Sequence, residues 1–76
     1  MNVRRDHAKK ALIQQGRFIR KSRRANGLSQ ADLAKALKIS QSKISKIEAG
    51  RVPINIQEWF YFCRKLKLPV NKYQDF

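Results

Sequence analysis

Between Ser29 and Gly50 the chain has room for two short helices and almost nothing between them, and this spacing constrains the fold more than any other feature. Ser29 precedes Gln30, Ala31 and Asp32, which places a hydroxyl acceptor at a helix start and an acid in the first turn. Leu33, Ala34 and Leu37 form one inward face, and the small Ala34 lets a neighbouring helix approach closely. Only Lys38, Ile39 and Ser40 follow before periodicity resumes. Ser40 caps a second helix from Gln41 to about Glu48, which Gly50 ends. At about 100° per residue, Ile44 and Ile47 share one side, while Gln41, Ser42, Ser45 and Lys46 share the other, a polar side without an acid.

The flanks continue the helical pattern. Ala8, Ala11, Leu12, Gly16 and Ile19 keep a spacing of three to five, which predicts a helix from about Asp6, the candidate N-cap, to about Asn26. Gly16 marks a candidate break, and Asn26-Gly27 supplies the stop. Val52-Pro53-Ile54 reads as a loop. Asn55 caps a further helix to about Lys67, with Ile56, Trp59, Phe60, Cys63 and Leu66 on one face, and Pro69 forbids its continuation. Val70 to Phe76 have room for one short fifth turn or helix. The expected fold is all-α, a compact bundle of about five helices.

At 76 residues and 42% apolar content the chain makes one small core. Eighteen Lys and Arg against five Asp and Glu leave +13, which favours polyanionic partners. Half of that basic content falls in the first 26 positions, where Asp6 is the only acid. Residues 1–15 therefore read as a basic extension of a domain at 16–76, either lengthening the first helix or forming an arm along DNA, with the helix favoured. A single cysteine, Cys63, and a single histidine, His7, offer neither an internal disulfide nor a zinc cluster, so no metal or cofactor is expected. Cys63 follows the inward spacing and reads as a core residue. No apolar run reaches the roughly 18 residues of a membrane span, and Arg4-Arg5 lead into no signal-like stretch, which suits a soluble, cytoplasmic protein with no membrane partner. Neither a Ser-His-Asp set, a carboxylate pair nor a glycine-rich phosphate loop is present, so an enzyme is not expected.

A helix, a three-residue turn and a second helix with a polar outer side fit the major groove of B-DNA, whose width of about 12 Å admits one helix. The first helix of such a pair lies across the backbone with its N-terminal amides toward a phosphate, and the second offers its early residues to base edges. Ser29 and Gln30 suit the first role. Gln41, Ser42 and Ser45 suit the second, because a Gln amide both accepts from adenine N6 and donates to N7. Taken alone, Gln41 and Ser42 fit a cap and a surface position equally well, and the two-helix context is what favours reading. Arg20, Lys43, Lys46 and Arg51 are candidate backbone contacts, against the alternative that each is an ordinary solvated cation.

The run Gly27-Leu28-Ser29-Gln30-Ala31-Asp32-Leu33-Ala34 through Ile44-Ser45-Lys46-Ile47-Glu48-Ala49-Gly50 resembles the lambda-repressor-like, Cro/XRE-type helix-turn-helix family, over about residues 16–74 and without insertion. The resemblance implies a recognition helix at about 41–48 and an ion pair between Arg23 and Glu48, with Arg23 also facing a phosphate. Ser22 stands where the family usually has a larger apolar residue, and Lys67 where Gly is frequent. The family often dimerises through its C-terminal region, which makes Phe62, Val70, Tyr73 and Phe76 the candidate dimer surface. The implied function is sequence-specific binding of double-stranded DNA by a small transcriptional repressor, acting as a homodimer on a palindromic operator. The alternative is an antitoxin-type protein that holds a small partner protein as well as its operator.

Overall fold

Every element on which the reading depends is a helix. A computed structural model describes the backbone of residues 3–76 and the side chains of residues 8–76. In chain order these residues form α1 (Val3–Ala25), α2 (Gln30–Leu37), α3 (Gln41–Glu48), α4 (Ile56–Leu66) and a 3₁₀ helix (Val70–Asp75). The fold is all-α, with five helices among the described residues.

Helix α1 begins at Val3, so Asp6 lies inside the helix and does not cap it; the side chains of Asp6 and His7 fall outside the described residues. The 15/16 boundary falls within α1, where Gln15 is buried and its side-chain oxygen accepts from the Ile54 amide at 3.0 Å. Gly16 does not break α1. A Cβ at this position would collide with the Ile47 carbonyl oxygen and lie 2.7 Å from that of Glu48, so this glycine lets the C-terminal end of α3 press against the α1 backbone. The stop at Asn26-Gly27 is made as expected, with Gly27 at φ 69° and the Leu28 amide reaching back 3.2 Å to the Arg23 carbonyl. The Asn26 amide group also donates to the Leu66 carbonyl at 3.3 Å, joining the end of α1 to the end of α4.

The caps follow the sequence closely. Ser29 and Asp32 form a reciprocal capping box at the start of α2, Ser40 accepts from the Lys43 amide at 3.0 Å, and Asn55 and Glu58 form a second box at the start of α4. Helices α2 and α4 both end on a lysine in the left-handed conformation, Lys38 and Lys67, each at φ 58°. Lys67 thus adopts the geometry that glycine usually supplies at such an end.

The core gathers Ile19 from α1, Leu33 and Ala34 from α2, Ile44 and Ile47 from α3, Ile54 from the loop, and Trp59, Phe62, Cys63 and Leu66 from α4. One expectation is corrected here: Phe62 is fully buried, whereas Ile56 and Phe60 are about half exposed, at 52% and 49%. Trp59, Phe62, Cys63 and Leu66 lie within about 100° of arc, and α1 and α2 pack on that arc rather than on the neighbouring one through Ile56 and Phe60. Trp59 anchors the C-terminal segment, donating from its indole nitrogen to the Val70 carbonyl at 2.8 Å and meeting Tyr73 and Phe76 at ring separations of 5.5 and 5.8 Å.

Candidate nucleic-acid interface

Helix α3 presents its residues on two sides. Ile44 and Ile47 are buried, which fixes its roll, and Gln41, Ser42, Ser45 and Lys46 are consequently exposed together on the opposite side. No carboxylate stands among them; Glu48, the acid of this helix, is buried. The serine cap at Ser40 spares the first amides of α3, and the absence of an acid from its first turn leaves the positive end of the helix dipole uncompensated toward an approaching anion.

The position of α3 is set by a polar cluster beneath it. Arg23 is only 7% exposed, and its guanidinium donates to both carboxylate oxygens of Glu48, at 2.7 and 3.0 Å, and to the Leu28 carbonyl at 2.8 Å. The hydrogen bond to Glu48 raises the Arg23 pKa further above its ordinary value, so the guanidinium stays charged. Gln30 joins the cluster by donating to Glu48 at 3.1 Å. Helices α1, α2 and α3 therefore meet at one carboxylate. Such a fully bonded buried pair fixes geometry more reliably than it adds net stability, because desolvation offsets its attraction.

Two side chains expected at phosphates make bonds within the molecule. Arg23, expected to face a phosphate, is buried and spends its donors on Glu48 and Leu28; the reason is that Gly16, seven residues earlier on the same side of α1, draws α3 down over it. Lys43, expected as a backbone contact, forms an ion pair with Glu58 of α4 and is partly buried. This pair is a strut from α3 to α4, made possible because Glu58 is held at the helix start by its bond to the Asn55 amide. Gln30 is half-buried and turned to Glu48, and Ser29 is exposed and acts as the cap of α2. Arg20, Lys46 and Arg51 are exposed, and none of them is engaged in an ion pair among the described residues.

Of the candidate dimer residues, Phe62 belongs to the core, Tyr73 and Phe76 are half-buried against Trp59, and Val70 is 52% exposed. The exposed apolar side chains near Val70 are instead Ile56 and Phe60, which line a groove of about 540 Å³ with Pro69 and Tyr73. Sequence reasoning overlooked the Gln30–Glu48 bond, the Lys43–Glu58 strut and the purpose of Gly16. The seven-residue interval from Gly16 to Arg23, two turns on one face, is the one signal in the sequence for the last of these.

Cys63 is buried in the core, and that burial pushes its thiol pKa up, which keeps the sulfur protonated and unreactive at neutral pH. No helix among the described residues is long and apolar enough to cross a membrane. No curated protein matches the chain. A family model described as a helix-turn-helix domain matches residues 14–73, spanning α2, its turn, α3 and the helices that hold them. With most of its length matched, and the two capped helices closed on Arg23 and Glu48, the chain belongs to the helix-turn-helix domain family of DNA-binding domains, in line with its Cro/XRE-type resemblance.

Proposed function

We propose that the protein is a small transcriptional repressor that reads a palindromic operator as a two-fold homodimer, with its two α3 helices about 34 Å apart in successive major grooves. The observation that carries the reading is the exposed, acid-free side of α3, held in one orientation by buried Ile44, Ile47 and Glu48. Gln41 reads one base pair by a bidentate amide contact, Ser42 and Ser45 contact neighbouring base edges, and Lys46 and Arg51 neutralise phosphates. The N-terminal end of α2, with Ser29 and Gln30, lies against the backbone. Arg23 and Glu48 act as the clamp that aims α3. The dimer surface is Ile56, Phe60 and Val70, three exposed apolar side chains around one groove.

Selection from a random duplex library tests the reading. The wild-type chain should enrich a two-fold symmetric site, and Gln41→Ala should lose preference at one position per half-site, by about 1–3 kcal/mol. Unchanged preference in Gln41→Ala would remove that side chain from the reading face. A second reading has its own observation: Tyr61, 49% exposed, lines a separate groove with Ala36, Leu37, Arg64 and Lys65, a further surface that suits a small partner protein, as in an antitoxin. Native mass measurement after purification from the source cell separates the two, since a homodimer and a stoichiometric heteromeric complex differ in mass.

A further inference from the structure

Helix α1 carries a second basic surface that the reading of α3 does not use. Lys10, Arg17, Lys21 and Arg24 are all exposed, and at about 100° per residue they fall within roughly 60° of one another, forming a stripe about 21 Å long at 1.5 Å per residue. The side of α1 that faces α3 is marked by Gly16, pressed against Ile47 and Glu48, and by Arg23, bonded to Glu48. The stripe stands roughly 80–140° around the helix from Gly16. It is therefore turned away from the helix that enters the groove.

The stripe also lacks a counter-charge in residues 8–76. The four acids there are all occupied elsewhere: Asp32 bonds the Ser29 amide, Glu48 bonds Arg23, Glu58 pairs with Lys43, and Asp75 pairs with Lys72. Four cations on a rigid rod with no partner among residues 8–76 are a site for an external polyanion. Lys10 precedes the segment that matches the helix-turn-helix domain, so the stripe reaches beyond that unit. Its length spans several phosphates of a strand, and side chains of arginine and lysine on one straight helix follow a backbone without reading bases.

We infer that the α1 stripe binds the phosphate backbone of a second DNA duplex, so that a molecule seated on its operator through α3 bridges to another segment of DNA. The inference rests on the α3 reading for its first duplex. The test begins with the full chain saturated with a short operator duplex, so that α3 is occupied, and then offered a labelled duplex of unrelated sequence across a salt series. Four phosphates neutralised by the stripe give a log-log slope near −3.6 and a loss of capture on the order of a hundredfold between 50 and 200 mM salt.

The comparison is with a chain carrying Lys10→Gln, Arg17→Gln, Lys21→Gln and Arg24→Gln. It should capture the second duplex at least tenfold less, with its operator affinity and melting temperature unchanged. Equal capture by this variant overturns the inference. A parallel fall in operator affinity also overturns it, because the stripe then serves the duplex already bound at α3. Capture of phosphatidylserine vesicles in place of duplex overturns the choice of DNA. Gln41→Ala keeps the two readings apart: if its operator preference is unchanged while the stripe variant still loses duplex capture, Gln41 leaves the reading face of α3 and the stripe stands.

Discussion

Gly16 shows how much a single absent methyl decides. Its missing Cβ lets two carbonyls at the end of α3 lie against α1, and the same approach brings Glu48 over Arg23. Gly16→Ala should therefore destabilise the fold by about 2 kcal/mol or more, because the obstructing atoms are backbone and cannot rotate away. Urea unfolding measures this, and a change within 0.5 kcal/mol, about the size of an ordinary surface substitution, would show that the helices have room to part. Asp32 offers a pH test at the same scale. Its carboxylate accepts from the Ser29 amide, which lowers its pKa below the usual 3.8, so its contribution is present above that value and is lost as pH falls through the lower, folded one. Asp32→Asn should melt below wild type at neutral pH, and the two melting temperatures should converge under more acid conditions; a constant difference would assign the effect to something other than the charge.

The elements themselves are shaped by their ends. Serine or asparagine caps begin α2, α3 and α4, and each was legible because a short polar acceptor stands just before an apolar period. The C-terminal ends of α2 and α4 were less legible, since lysine carries no signal for the left-handed conformation that Lys38 and Lys67 adopt. Replacing either by glycine should stabilise the protein by about 0.5–1 kcal/mol, the relief of the left-handed strain less the extra freedom of glycine in the unfolded chain. Thermal melting of Lys67→Gly tests this, and a lower melting temperature would mean that the lysine side chain makes up for its backbone. Helix α4 illustrates a different limit. Ile56, Trp59, Phe60, Cys63 and Leu66 form one plausible apolar arc, and Trp59, Phe62, Cys63 and Leu66 form another that overlaps it. Helical period alone cannot choose between arcs that share three residues; packing with Ile19 and Leu33 chose the second and left Phe60 outside.

At the scale of the whole molecule, charge and apolar surface are kept apart. The exposed side of α3 and the outer side of α1 are polar or basic, whereas Ile56, Phe60 and Val70 gather around one groove. If that groove is the dimer surface, Phe60→Lys should weaken self-association at least tenfold, since hiding one such side chain is worth about 1.5–3 kcal/mol and a two-fold contact buries it twice. Sedimentation at several concentrations measures this, and an unchanged dimer would place the contact elsewhere. Operator affinity should fall with it, because a half-site held alone loses the gain from two linked contacts.

From its amino acids alone the chain set the number and order of its helices, the three-residue turn and the polar side of α3, because caps and period are local and need no partner to be recognised. The Arg23–Glu48 ion pair was implied by family resemblance, and the geometry that encloses it came from the close approach at Gly16. Tertiary packing alone decided that Gln30 and Lys43 turn to carboxylates, that Phe62 is core while Phe60 is surface, and that Lys10, Arg17, Lys21 and Arg24 stand apart from α3. Each of these depends on which neighbour occupies the space beside a side chain, and that neighbour is brought there by the fold from a distant part of the sequence.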